Sequence, residues 1–234
     1  MLEIGEVGAP ATRFGRLPAV LPKITSGALA FTVLPMVYLH LVSIGRLDPL
    51  RTTVSDYVSV PGGGAFLALS TIALALATAL LPAQLGLAGR PVPALAKIGL
   101  VLGCVGLFAS VVFPTNALGA AVDEATVLHR YAAGLFFLAI PIVAAALAHA
   151  GFGRGLRWSA GLSALVGLAF LISHIPLIFP DFPYADLIGT LFPRGLVERI
   201  LLLVDIATIA VISRSARQAA PAPALAPADR LVRS

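Results

Sequence analysis

Hydrophobic residues in this chain are grouped into six long runs that are separated by short polar connections. A run of ~20 apolar residues forms a helix of ~30 Å, which matches the hydrocarbon core of a bilayer. Lipid offers no hydrogen-bond partners to an open backbone, so each run is predicted to be a helix. The sequence therefore predicts an all-α, polytopic membrane protein with a six-transmembrane-helix bundle over residues 24–213. The runs cover residues 26–44, 65–85, 98–113, 131–149, 159–179 and 195–212.

Composition supports this class and argues against a nucleic-acid-binding domain. Hydrophobic residues make up 59% of the 234 residues and charged residues 12%, whereas a soluble domain carries about 25% charged residues. The net charge of +5 comes from basic residues that are dispersed over connections and tails. They form no basic face, so nucleic acid is not an expected partner. The expected surroundings are membrane lipids, and no feature of the sequence identifies a protein partner.

The distribution of charge predicts the orientation of the bundle. Alternate connections and both tails carry most of the basic residues, and most acidic residues lie on the other side. By the positive-inside rule, both termini are predicted to be cytoplasmic, in a multi-pass protein of the cell (plasma) membrane. The basic residues on the predicted cytoplasmic side are Arg13, Arg16, Lys23, Arg90, Lys97, Arg154, Arg157, Arg214, Arg217, Arg230 and Arg233.

The two ends of the chain are predicted to lie outside the bundle. Residues 1–23 form a basic arm before the first run, and no small-residue cleavage site follows that run. The first run is therefore expected to be a retained helix rather than a signal peptide. Residues 214–234 are rich in Ala and Pro and have no apolar period, which is typical of a disordered tail.

Polar residues are concentrated where the predicted helices meet the extracytoplasmic side. Three of them are candidates for catalytic acid–base chemistry, namely Asp56, His129 and Glu198. Guanidinium, hydroxyl and imidazole groups near them are candidates for holding a ligand. The candidate ligand-binding residues are Arg51, Ser55, Tyr57, Thr115, Arg130, His174, Arg199 and Asp205.

The acids of the last run suggest two different roles. Glu198 and Asp205 are seven residues apart and share one helix face, with Asp205 ~10 Å deeper. An acid within a membrane costs roughly 2.5–3.5 kcal/mol on insertion scales, so Asp205 is expected to face the bundle. One interpretation is a polar track leading inward, and the other is a buried hydrogen bond that fixes helix packing.

Ion pairs are also expected at the extracytoplasmic side. Arg51 and Arg130 are the candidate partners of Asp56 and Glu198, whereas Glu198 and its neighbour Arg199 point about 100° apart. These charges either hold the loops down or form a carboxylate site with an arginine clamp for an anionic group.

Metal and cofactor sites are not expected. The histidines are not arranged as HxxxH or HExxH, and the single cysteine, Cys104, lies within an apolar run. Spacings of that kind are what zinc sites on helices use. Cys104 is expected to act as a small buried hydrophobe.

Four segments in this order resemble the DUF998 family of prokaryotic integral membrane proteins. They are DPLRTTVSDYVSVPGG, VFPTN, LHRYAAGLFFLA and RGLVERILLL. The resemblance covers about residues 24–214 and implies a membrane location and this helical fold, without an activity. The family usually has an acid after the proline–threonine pair, where this chain has Asn116. The matching positions are Ser55, Asp56, Pro114, Thr115, His129, Glu198 and Arg199.

Three functions are compatible with these patterns. The first is the binding or enzymatic processing of a lipid-like or anionic amphiphile at the extracytoplasmic side. The second is a structural or accessory membrane protein that partners a transporter or an envelope complex. The third is a small proton-coupled transporter, in which Asp205 beneath Glu198 acts as the relay.

Overall fold

The computed structural model describes residues 17–219, with side chains over residues 20–218, and these residues form helices and connections without a strand. A short 3-10 helix, Ser55–Ser59, lies between the first two α-helices. The α-helices are α1 (Leu17–Val42), α2 (Gly63–Ala79), α3 (Leu81–Leu87), α4 (Ala94–Val112), α5 (Glu124–His149), α6 (Arg154–Ser173), α7 (Ile175–Ile178), α8 (Ala185–Leu191) and α9 (Arg194–Ala219).

Helix length and composition indicate a multi-pass membrane protein. Apolar side chains cover much of the surface: Trp158 is 82% exposed, Phe108 70% and Leu165 66%. Apolar surface on this scale requires a non-aqueous covering. By length and composition, five segments can cross a membrane: Val20–Val42, Gly63–Leu87, Ala94–Val112, Glu124–His149 and Arg154–Ile178.

The helix bounds differ from the predicted runs: α4, α5 and α6 begin four to seven residues earlier, the run 159–179 ends in the separate helix α7, and the second run and the chain ends differ as follows. The run 65–85 is divided at Leu80, because Pro82 occupies the first turn of α3 and has no amide hydrogen to continue α2. At the chain ends, α1 already begins at Leu17 within the predicted arm, and α9 continues to Ala219 within the predicted tail. The rest of both predicted segments, residues 1–16 and 220–234, lies outside the described residues.

The helices form a bundle in which α5 is central. Helix α5 packs against α4, α6 and α9, and α9 packs in turn against α6, α1 and α3. Phe136, Ile140 and Leu147 of α5 are 0–1% exposed, as are Leu100 of α4 and Leu201 of α9. In a membrane, close packing of such side chains rather than their transfer out of water holds the helices together, and the same contacts fix where the helix ends lie.

Glycines allow α4 and α5 to pack closely. A Cβ at Gly106 would lie 2.5 Å from the carbonyl oxygen of Ala132, and one at Gly99 would lie 2.6 Å from Cγ2 of Val143. Gly103 lies between them on the same face and meets the Phe136 side chain. Small residues at this spacing let membrane helices approach backbone to backbone. No larger residue fits at Gly99 or Gly106 without moving the helices apart.

The two ends of the bundle differ in their connections. The connections 43–62, 113–123 and 174–193 lie at one end, called here the long-loop end. They contact one another there: the amide of Leu118 donates to Oγ of Ser59 at 2.7 Å. The opposite end has only the connections 88–93 and 150–153, which meet where Arg90 donates to the carbonyl of Gly151 at 2.7 Å. The candidate site lies at the long-loop end.

Candidate functional site

The connection 43–62 is folded by its own hydroxyl and carboxylate groups. Oδ2 of Asp56 accepts from the amide of Thr53 at 2.6 Å and from its hydroxyl at 2.8 Å. That hydroxyl also lies 2.9 Å from Oγ of Ser55. Local turns of this kind are what Asp and Thr side chains favour. The turn leads into the 3-10 helix and presents Ser55 and Asp56 toward the bundle.

The first turn of α9 holds this connection against the helix ends. Oε2 of Glu198 accepts from the amide of Val54 at 3.1 Å, and the amide of Leu196 donates to the carbonyl of Leu50 at 3.1 Å. A Cβ at Gly195 would overlap the carbonyl oxygen of Thr52, so only glycine permits this approach. Glu198 is 9% exposed and keeps Oε1 free of hydrogen bonds to the described residues.

Arg199 also attaches the connection 43–62 to α9, on a different side of that helix. Its Nη1 donates to the carbonyls of Thr52 at 2.6 Å and Gly195 at 2.8 Å. Its Nη2 donates to the hydroxyl of Tyr57 at 2.9 Å, whose ring lies 5.3 Å from the guanidinium carbon. Arg199 therefore serves the connection 43–62 and is directed away from Glu198.

His129 is positioned by the start of α5. Asp123 caps this helix by accepting from the amide of Thr126 at 2.8 Å, and that hydrogen bond holds the pKa of Asp123 below its ordinary value. Nδ1 of His129 lies 2.9 Å from the carbonyl oxygen of Ser110 and 3.0 Å from that of Phe113. Because carbonyls only accept, Nδ1 carries a proton. Nε2 of the neutral ring is then a free base.

The three connections enclose a polar pocket of about 70 Å³ at the long-loop end. It is bounded by two carboxylates, two histidines and two arginines from the connection 43–62, α5, the end of α6 and the start of α9. Three residues with hydroxyl groups also lie in its wall, namely Thr53, Ser55 and Thr115. Its titratable residues are Asp56, His129, Arg130, His174, Arg194 and Glu198.

The arginines of the polar pocket have no acidic partner. Within residues 17–219 an ion pair occurs only between Arg51 and Asp48, at 3.7 Å. Nε of Arg194 is buried and has no hydrogen-bond partner among these residues. A buried guanidinium N–H without an acceptor is costly, so Arg194 offers a ligand an unused donor.

An apolar cavity of about 130 Å³ adjoins the polar pocket. Six residues border both spaces: Ser55, Thr115, His129, Ala133, Phe137 and Glu198. Beyond this shared wall the cavity runs between α2, α4, α5 and α9. Its far walls are apolar and include Leu67, Leu74, Leu107, Phe136 and Leu202. The polar pocket and the apolar cavity therefore meet at His129 and Glu198.

The structure brings together all three candidate catalytic residues. Asp56, His129 and Glu198 border the polar pocket. Four of the candidate ligand-binding residues are beside them, namely Ser55, Thr115, Arg130 and His174. Chemically, this arrangement can bind a charged head group and can exchange a proton with it. The roles of these residues remain predictions.

The other four candidates lie elsewhere. The side chain of Arg51 is 87% exposed and pairs with Asp48. Tyr57 and Arg199 border a different groove, between α1 and α9. Asp205 is fully buried against α6, where Oγ of Ser163 donates to its Oδ1 and its Oδ2 has no hydrogen-bond partner among the described residues.

The expected ion pairs of Asp56 and Glu198 with Arg51 and Arg130 were wrong. Both acids accept from backbone amides instead, those of Thr53 and Val54. The turn brings these amides to the carboxylates at no further loss of conformational freedom, whereas a long arginine side chain would have to be ordered for the same purpose.

Sequence reasoning did not include Arg194 among the candidates. It lies four residues before Glu198 on α9, so both side chains lie on one helix face. This spacing is visible in the sequence. Charged residues are common at helix starts, however, so the spacing alone does not show that Arg194 borders the polar pocket.

The arrangement of metal-ligating residues and the similarity of the chain to known proteins both bear on the function of the pocket. No group of three His, Cys, Asp or Glu residues suited to a metal ion occurs within the described part of the chain. A protein-family model described as a protein of unknown function (DUF998) matches residues 26–215. Comparisons with curated proteins and with solved structures give no match.

Proposed function

The chain belongs to the DUF998 family of proteins of unknown function, and from its own residues we propose that it binds an amphiphile with a negatively charged head group. The head group lies in the polar pocket, and the apolar part lies in the adjoining cavity. The observation that carries this proposal is the shared wall of the two spaces at His129, Phe137 and Glu198. Pockets that combine an apolar volume with a few convergent polar groups are typical ligand sites.

The negative charge of the head group follows from the unpaired donors. The carboxylates of Asp56 and Glu198 already accept from backbone amides. Arg130 and Arg194 border the same pocket without an acidic partner among the described residues. A phosphate or carboxylate accepts well from guanidinium groups, often with two hydrogen bonds. A membrane lipid or a lipid-like intermediate has both the anionic head group and the apolar part that the two spaces require.

The test is the retention of a bound amphiphile by the purified full chain. Protein purified in mild detergent is analysed by mass spectrometry of its extracted lipids. We expect a defined anionic amphiphile in the wild type and about tenfold less in Arg194→Gln, since a charge-assisted hydrogen bond contributes roughly 1.5–3 kcal/mol. Arg154→Gln removes an equal charge at the opposite end of the bundle and is expected to retain it fully. Equal, unselective lipid in all three proteins would contradict the proposal.

A chemical step on the bound head group is the second candidate function. His129 supports it, because its protonated Nδ1 is fixed by two carbonyls and its Nε2 is left as a base. Glu198 lies in the same wall with one free carboxylate oxygen. In the same extracts, His129→Asn and Glu198→Gln are expected to retain an unconverted amphiphile, because both variants keep the observed hydrogen bonds but transfer no proton. Identical bound species in wild type and both variants would exclude this step.

The proposed membrane arrangement has six spans, with α9 as the sixth. Its 26 residues cover ~39 Å, which is sufficient to cross a bilayer. Its acids are turned inward, with Asp205 fully buried and Glu198 9% exposed. Its outward face is apolar and includes Leu196, Ile200 and Leu203. The apolar part of α9 differs from the other five segments in carrying three charged residues, namely Glu198, Arg199 and Asp205.

Site-directed labelling tests this arrangement and the predicted cytoplasmic termini in the plasma membrane. In a Cys104→Ala background, single cysteines are placed by Ala117→Cys at the long-loop end, Ala150→Cys at the other end, and Ser234→Cys. A membrane-impermeant maleimide is expected to label only the first in intact cells and all three after permeabilisation. Labelling of Ser234→Cys together with Ala117→Cys would mean that α9 does not cross.

A further inference from the structure

A second groove lies between α1 and α9 at the long-loop end, with a volume of about 220 Å³. It has no residue in common with the polar pocket and shares only Val54 and Leu202 with the apolar cavity. Its outer walls are apolar and open, since Val37, Leu41 and Leu203 are 49%, 61% and 58% exposed. This groove therefore opens on the apolar surface of the bundle.

A chain of hydrogen bonds closes the polar end of this groove. Nη2 of Arg199 donates to the hydroxyl of Tyr57 at 2.9 Å, and that hydroxyl lies 2.7 Å from Nδ1 of His40. An arginine only donates, so the phenol oxygen accepts from Arg199, and we assign the phenol proton to the 2.7 Å contact with Nδ1 of neutral His40. The proton of the neutral ring then resides on Nε2. A protonated His40 also carries a proton there, so Nε2–H is a donor in either state.

The charge at this end is positive and unpaired. Arg199 donates to two backbone carbonyls and to Tyr57 but forms no ion pair within residues 17–219. Three of its five N–H groups are used by these contacts, which leaves donors for a ligand. His40 is exposed beside it. The groove thus ends in the remaining N–H groups of Arg199, in His40 and in a positive charge that has no acidic partner within residues 17–219.

We propose that this groove binds an anionic phospholipid of the surrounding membrane. Its acyl chain lies along Val37, Leu41 and Leu203, and its phosphate accepts from Nε2 of His40 and from Arg199. Charge complementarity selects the occupant, because an apolar groove at the membrane surface that ends in donors matches a phosphate ester attached to an acyl chain. This site is independent of the amphiphile proposed for the polar pocket.

Photolabelling of the reconstituted full chain tests the proposal. The protein is placed in phosphatidylcholine vesicles with a trace of phosphatidylglycerol that carries a photoreactive acyl chain. We expect cross-links to peptides of α1 and α9 around Val37 and Leu203. Unlabelled phosphatidylglycerol is expected to compete, whereas additional phosphatidylcholine or inorganic phosphate is not.

Two substitutions with matched controls identify the groove. His40→Phe keeps an aromatic ring at this position but removes the Nε2–H donor to the phosphate. About fivefold weaker labelling is expected for the loss of this one hydrogen bond. Leu203→Trp fills the groove and is expected to have the same effect without altering the polar end. The controls are His149→Phe at the opposite end and Leu165→Trp on the exposed face of α6, and both are expected to label as wild type.

Three results would overturn the proposal. One is equal labelling by photoreactive phosphatidylcholine, another is competition by inorganic phosphate, and the third is undiminished labelling in Leu203→Trp. Arg194→Gln separates the two sites, because it is expected to release the amphiphile of the polar pocket and to leave this labelling unchanged.

Discussion

Arg199→Met is expected to release the connection 43–62 from α9 and to make it the first segment that trypsin cleaves. The substitution keeps the apolar length of the side chain but removes its contacts with Thr52, Gly195 and Tyr57. Hydrogen bonds from a charged donor contribute about 1.5–3 kcal/mol each and are not additive. We expect a loss of several kcal/mol and rapid cleavage after Arg46 or Arg51, which are exposed.

Time-resolved proteolysis in detergent, followed by mass spectrometry of the fragments, measures this effect. Arg157→Met removes an exposed arginine at the other end of the bundle and serves as the control, with unchanged cleavage at the long-loop end. Arg199→Lys is expected to behave like Arg199→Met, because one ammonium group does not reproduce the arginine fork. Wild-type resistance in both Arg199 variants would show that Glu198, Leu196 and packing hold the connection alone.

Ser163→Ala is expected to destabilise the bundle by about 1–3 kcal/mol, because it leaves the buried carboxyl of Asp205 without any partner. Asp205 is fully buried, and Ser163 is its hydrogen-bond donor. Replacing both residues by apolar ones is expected to restore much of this stability, since neither position then holds a buried polar group without a partner. Thermal unfolding in detergent compares Ser163→Ala with the double variant Ser163→Ala/Asp205→Leu.

The double variant also distinguishes the two interpretations of Asp205. If Asp205 only fixes the packing of α6 against α9, the double variant is stable and still retains the amphiphile of the polar pocket. A proton relay would instead give a stable protein that fails in proton-dependent uptake by sealed vesicles. A double variant less stable than Ser163→Ala would contradict the assignment of an unsatisfied carboxyl. Ser159→Ala, a change on α6 away from Asp205, is the control for altering a helix hydroxyl.

The gathering of polar residues at one end was accessible from the sequence because helix order determines it. Six apolar runs of similar length alternate in direction, so Asp56, His129, His174 and Glu198 must all lie near the same end of the bundle. The same reasoning placed Ser55, Thr115 and Arg130 there. No knowledge of side-chain contacts was needed for this result.

The hydrogen-bond partners were not accessible in this way. Glu198 accepts from the amide of Val54, and every residue except proline offers such an amide, so the sequence does not distinguish this one. Arg199 follows Glu198 directly, and the 100° step between them sends the two side chains into different spaces. Only the fold shows that Glu198 borders the polar pocket and that Arg199 borders the groove between α1 and α9.

For the ligand site proposed at the polar pocket, the glycine contacts between α4 and α5 indicate which wall stays in place. Gly99 and Gly106 hold these two helices backbone to backbone, and close packing of this kind resists opening. His129 therefore lies on a helix, α5, whose position is fixed by this packing. The opposite wall is the connection 43–62, which is held by hydrogen bonds to α9 and by the buried side chains of Val54, Tyr57 and Val60. The contact of α4 with α5 is the most extensive between helices in the described part of the chain, so the proposed ligand would enter on the side of the connection 43–62 while the α4–α5 pair stays in place.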